Sequence, residues 1–220
     1  MFRSLLRQRI SMRRIAAHVC LFSMLACARA STNPIEDGQP LPLPVHQFVA
    51  TAYPGSKVVE AAVGELNGDS ASKHVLLLNV DEGKQQQLLV LGKSAGGRVE
   101  LVSASKPFAH CHHGREIWIK RKSVYVHCFH SRSFSMFSHW TYQFAMRKGR
   151  MQLIGEESYW EETKDGNPVP GNPLHFTSTN YLTGEEIRSD KVNGRVVFRK
   201  KTVLPEVERQ PKFLEDFAIQ

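Results

Sequence analysis

From residue 57 to residue 202 the chain is a succession of short apolar runs separated by turn-forming residues. The run 74–80 (HVLLLNV) is apolar on both faces, as a strand covered on both sides must be. Asp81-Glu82-Gly83-Lys84 turns the chain into 85–91 (QQQLLVL), and Ser94-Ala95-Gly96-Gly97 turns it into 98–103. Segments 116–120 and 123–128 form a hairpin about Arg121-Lys122. The cleanest alternation lies in 140–147: Trp140, Tyr142, Phe144 and Met146 share one face, and Thr141, Gln143, Ala145 and Arg147 the other. Lys148-Gly149-Arg150 leads into 151–157, and the Asp/Gly/Asn/Pro-rich stretch 165–173 is a loop by composition. Segments 57–62, 176–180, 186–189 and 195–202 complete the series. A turn every 8–12 residues or so predicts an all-β single domain of about nine or ten mostly antiparallel strands, built as a sandwich or as a barrel-like or partial-propeller meander.

The ends of the chain read differently. Arg3 to Arg14 form a cationic stretch, 15–28 an apolar one too short to span a bilayer comfortably, and Ala28-Arg29-Ala30 a small-residue cleavage pattern. Residues 1–30 are therefore expected to be a secretory signal peptide, with Met1 or Met12 as the start and Ser31 as the first residue of the exported chain. Met24-Leu25-Ala26-Cys27 loosely resembles a lipobox, so lipidation at Cys27 is the competing reading, ranked below simple cleavage. Residues 31–44 hold four prolines and form an extended lead-in, and 45–220 form the β-rich domain. Only the C-terminus suggests a helical turn, with Pro211 at its first position and Phe213, Leu214 and Phe217 at helical spacing. No transmembrane segment is expected after signal cleavage; the compartment is periplasmic or secreted.

The formal charge of +8 arises from 29 Lys+Arg against 21 Asp+Glu. Six of those arginines lie in residues 1–30, which hold no acid; without them 23 basic residues face 21 acidic ones. Nucleic-acid binding needs clustered excess charge, and the exported part has little to offer.

Several motifs fail on their context. Gly92-Lys93-Ser94-Ala95-Gly96 matches G-x-S-x-G, but a strand-like segment follows where a nucleophile elbow needs a helix, so the motif reads as a hairpin turn. No catalytic set with a recommending spacing remains, and the chain is expected not to be an enzyme and to need no cofactor. Glu65-Leu66-Asn67-Gly68-Asp69 is an oxygen-rich run of the kind that binds calcium, yet Ser70 replaces the turn glycine and Lys73 puts an ammonium at a ligand position. No tight calcium site is expected there.

The stretch GELNGDS (64–70) before an apolar strand resembles the D-L-N-G-D-G-x-x-D signature of secreted bacterial FG-GAP/VCBS-like proteins. RKGRMQLIG (147–155), TSTNYLTG (177–184) and Cys111-His112-His113-Gly114 are similar, in the same order, to segments of small periplasmic members. The resemblance covers roughly residues 50–200. It implies a β-rich secreted domain, and some similar proteins inhibit, or confer immunity against, cell-wall hydrolases.

Six of the ten histidines fall between 110 and 139, two of them flanking each of Cys111 and Cys128. One reading is a zinc or copper site drawn from His110, His112, His113, His127 and His130. The other is a Cys111–Cys128 disulfide, the simplest state of two cysteines in an oxidising compartment; two unpaired thiols are a third. A regular hairpin puts Cys128 opposite Arg115, four residues from Cys111, so 112–114 have to bend the chain back for the sulfurs to meet. Tyr159, Trp160, Asn180 and Tyr181 are candidates for contact with a protein partner of the cell envelope; Asn180 and Gly184 also suit a plain turn. The leading expectation is an exported protein-binding module, of the inhibitor or immunity type. The alternative is a metal-binding envelope protein.

Overall fold

The computed structural model describes residues 41–218 except 67–70, 110, 112–114 and 134; of 130–133 it describes the backbone. The expected signal peptide, Cys27 and the expected lead-in up to residue 40 lie outside the described residues.

Two antiparallel sheets make up most of the chain. The first comprises β1 (Lys57–Glu65), β2 (Ser72–Val80), β3 (Gln85–Lys93) and β4 (Val99–Ala104) in that order, with the two-residue β5 (Phe108–Ala109) beside the start of β3. The second comprises β6 (Arg115–Lys120), β7 (Ser123–Ser133), β8 (Met136–Arg147), β9 (Arg150–Lys164), β10 (Asn167–Pro168), β11 (Leu174–Asn180), β12 (Glu185–Val192) and β13 (Arg195–Val203). Its order is β13-β12-β11-β9-β8-β7-β6, with β10 beside β9. Neither sheet closes into a barrel, so of the expected all-β arrangements the sandwich is the one formed. The eleven longer strands fall on the segments read from the sequence.

The sheets face each other over one core. Val75, Leu77, Leu88 and Val90 of the first meet Ile117, Ile119, Val124, Val126, Phe144 and Leu153 of the second. β1 crosses β6 closely at Gly64, where a Cβ would lie 3.0 Å from Ile119 Cγ2. The alternation of β8 is obeyed: Phe144 is fully buried, and Tyr142 and Met146 pack on the core beside it.

The other face of the first sheet, formed by Leu76, Leu78, Leu89 and Leu91, is covered by Val45 and Val49 of the helix α1 (Leu43–Ala52). This is why β2 and β3 carry apolar residues on both faces. The helix corrects the expectation that only the C-terminus is helical, and it takes in Leu43 and Pro44, the end of the expected extended lead-in. Leu43 and Pro44 form its first turn, where the fixed φ of proline is tolerated. Val45 and Val49 are one helical turn apart and aim at the same sheet.

The C-terminal segment straps the two sheets together. The helical turn expected after Pro211 is a 3-10 turn at Leu214–Asp216, and another 3-10 turn occupies Glu206–Arg209. Leu214 is fully buried in the core. Phe217 meets Phe108, Tyr142 and Phe144 edge to face. Leu153 N–H donates to the carbonyl of Lys212, and Lys106 N–H to that of Phe217. Glu215 accepts from Ser103 Oγ at 3.1 Å and from Arg150 at 3.3 Å, so one carboxylate joins β4 to β9.

Candidate functional site

The β6–β7 hairpin turns at Arg121-Lys122, both in the left-handed region, and pairs Cys128 with Arg115. Cys128 points into the core beside Val124 and Val126 and is bonded to Cys111, which is also buried. The disulfide is therefore formed, and neither sulfur remains as a thiolate ligand. His127, one residue away, projects from the opposite face of the sheet, as the strand period requires. His110, His112, His113 and the side chain of His130 lie outside the described residues. Among the described residues no three His, Cys, Asp or Glu side chains converge on a metal position.

The outer face of β6 to β9 carries a continuous strip of rings. Trp118 and Tyr125, directly paired across β6 and β7, stack with centroids 5.3 Å apart. His127 packs edge to face on Phe129 at 4.5 Å, and His139 on Phe129 and Phe137 at 4.2 and 4.6 Å. His139 stacks on Tyr159 at 4.0 Å. A hydrogen-bonded chain runs through the strip. Thr141 Oγ1 lies 2.7 Å from His127 Nδ1, and His127 Nε2 lies 3.3 Å from His139 Nδ1. Burial, and secondarily His127, lowers the pKa of His139 to about 4; burial also lowers that of His127. Both rings are neutral at pH 7, each donating with one nitrogen and accepting with the other.

The four expected partner residues do not form one surface. Tyr159 and Trp160 are neighbours in β9 and point to opposite faces. Tyr159 belongs to the ring strip, whereas Trp160 stacks on His175 at 3.8 Å, and His175 Nδ1 lies 2.8 Å from Asp190. Asn180 closes the turn between β11 and β12: its Oδ1 accepts from the N–H groups of Leu182 and Thr183, and its carbonyl from Gly184. Tyr181 turns inward and donates its hydroxyl to Glu156 at 2.8 Å, with Lys212 Nζ 4.4 Å from its ring centroid.

Tyr181 lines a cleft of about 570 Å³ between the second sheet and the C-terminal strap, together with Trp140, Tyr142, Glu156, Lys212 and Asp216. Burial, then the Glu156 carboxylate, raises the phenols of Tyr142 and Tyr181 well above their ordinary value. Both stay protonated through the physiological range and can only donate to a nearby carboxylate or accept through oxygen.

The calcium-like run is only partly described. Glu65 ends β1 opposite Ser72, and Lys73 is a buried residue of β2. Asn67 to Ser70 lie outside the described residues. Gly92 and Lys93 end β3, and the Ser94–Gly97 turn leads into β4, so the G-x-S-x-G match is a hairpin turn.

One feature went unread in the sequence: that β13, read as a strand, is the outermost of the large sheet. It is exposed along almost its whole length. Val196, Val197, Phe198 and Val203 stand 54, 62, 47 and 66 % in solvent. β12 pairs with one edge of β13, and no strand among the described residues pairs with the other. The sequence signal was present, in an apolar run interrupted by cations, but it is also the signal of an ordinary half-buried strand.

Comparison with protein-family models, with curated proteins and with solved structures returns no match.

Proposed function

We propose that this chain is an exported protein-binding module of a cell envelope, of the inhibitor or immunity type directed against a cell-wall hydrolase, and not an enzyme. The observation that carries the reading is β13. Large apolar side chains that protrude together from one strand gain roughly 1.5–3 kcal/mol each when a partner covers them fully. Export is supported by the Cys111–Cys128 disulfide, a bond that persists in oxidising compartments. The cationic and apolar pattern of residues 1–30 points the same way, as does the likeness of 64–70, 147–155 and 177–184 to secreted FG-GAP/VCBS-like proteins. Among the described residues no helix is long and apolar enough to cross a membrane.

Site-specific photo-crosslinking in the native host tests the reading. A photoreactive residue replaces Phe198, and in a control replaces Leu43, exposed on α1. A discrete adduct in the envelope fraction is expected from position 198 alone, with a cell-wall hydrolase identified by mass spectrometry. No adduct, or the same adduct from both positions, overturns the protein-binding reading; a partner of another kind overturns the inhibitor assignment.

A further inference from the structure

The free edge of β13 also indicates the chemistry of what binds there. We propose that β13 takes up an extended, acidic polypeptide segment as an additional strand of the large sheet. The inference rests on the protein-binding reading above and adds the mode of binding and the charge of the partner.

The mode follows from the backbone. In an antiparallel ladder alternate residues direct their N–H and C=O groups to opposite edges. β12 uses one edge of β13 from Glu185↔Val203 to Val192↔Arg195, with a bulge at Val197 where the register shifts between Asp190 and Lys191. The groups on the other edge are open to a strand from another chain, the geometry of strand addition. The regular stretch from Phe198 to Val203 is long enough for a ladder of its own. Val196, Val197, Phe198 and Val203 then provide apolar contacts on both faces for the side chains of the incoming strand.

The charge follows from the side chains. β13 carries Arg195, Arg199, Lys200 and Lys201 and no acid. Among the described residues only Lys201 of these is ion-paired, to Glu185. Lys200 stands directly across from Arg188, which is held by Glu186. A second copy of β13 paired along this edge would set four cations against four, and like charges facing across strands are destabilising. Edge cations of this kind block self-association. They do not block, and in fact attract, a strand that brings carboxylates to the same positions. Cations alone would protect the edge; the Val-Val-Phe run between Arg195 and Arg199 gives it something to bind.

The test uses the full chain and a nine-residue blocked peptide alternating Glu with Val and Thr. One control carries Lys for Glu. A second keeps Glu but is N-methylated at every second residue on the edge that would pair. Amide chemical shifts and hydrogen exchange locate and weigh the binding. The acidic peptide is expected to shift the amides of β13, to slow exchange at its alternate residues, and to weaken as salt is raised. It should bind about tenfold or more tightly than either control, a difference of about 1.4 kcal/mol. Arg199→Glu combined with Lys200→Glu should reverse the preference between the Glu and Lys peptides. Equal binding of the Glu and Lys peptides, indifference to N-methylation, shifts located elsewhere, or no binding overturns the inference. If Phe198 is crosslinked to a partner while the peptides fail, the protein-binding reading stands without strand addition. If the peptides behave as expected and no partner is crosslinked, the edge chemistry stands and the protein-binding reading falls.

Discussion

His139 is almost completely enclosed by Tyr159, Phe129 and Phe137, and its one described polar partner is His127. If the ring that accepts in this pair takes up a second proton, the two facing nitrogens both become donors and the bond between them is lost. Acid therefore works against the folded state. The folded pKa of His139 is about 4, below the ordinary 6.5, so between those values the unfolded chain binds more protons. Stability is complete above pH 6.5 and declines as pH falls towards 4, by on the order of 2 kcal/mol. Urea midpoints at pH 7 and pH 4.5 should show that decline in the parent and a smaller one in His139→Phe, which keeps the stack on Tyr159 and removes the titrating group. Equal declines would mean that the acid sensitivity lies elsewhere. The sequence shows these histidines as members of a cluster, not as a pair. Their contact depends on the β7–β8 register, which pairs Phe129 with His139 and His127 with Thr141.

Among the elements, the β6–β7 hairpin is the one whose geometry was most fully legible. Its turn and the opposition of Cys128 to Arg115 follow from counting outward from Arg121 and Lys122. The disulfide adds what counting does not give, because Cys111 lies before β6 and the ladder pairs Cys128 with Arg115 instead. It closes a loop of 17 residues, a constraint worth about 3 kcal/mol in the chain-entropy description. Cys111→Ser is expected to lose about that much in equilibrium unfolding, and reductant should weaken the parent to match while leaving the variant unchanged. A Cys111→Ser protein as stable as the parent would show that the bond contributes nothing. α1 was not legible. Pro42 and Pro44 signal an extended segment, and the helix that follows is short, held to the sheet by the buried Val45 and Val49 with Phe48 beside them.

The described residues form three layers, α1 on the first sheet and the first sheet on the second, with the C-terminal strap joining β4 to β9 through Glu215. Leu214 is the strap's contribution to the core. Leu214→Ala should cost about 2–4 kcal/mol by denaturant unfolding, from lost burial and the cavity left behind. Val207, also in the C-terminal segment but exposed, should tolerate the same change within about 0.5 kcal/mol. Similar losses from both would mean that the segment acts as a whole rather than through its buried leucine.

The sequence by itself determined the strands, most of their turns and which face of β8 lies inward, because the period of two and the φ demands of turns are local properties. It also determined that β2 has no solvent face. What covers that face was decided only by the tertiary structure, since the helical spacing of Val45, Phe48 and Val49 spans little more than one turn and follows a proline-rich stretch. The same holds for the site. Cys128 and His127 are adjacent in sequence and opposite in space, and Tyr159 and Trp160 likewise, so a cluster in the sequence was divided between the core and the outer face. The exposure of β13 is decided at the largest scale of all: Val-Val-Phe reads alike at the centre of a sheet and at its edge, and only the order of eight strands places it at the edge.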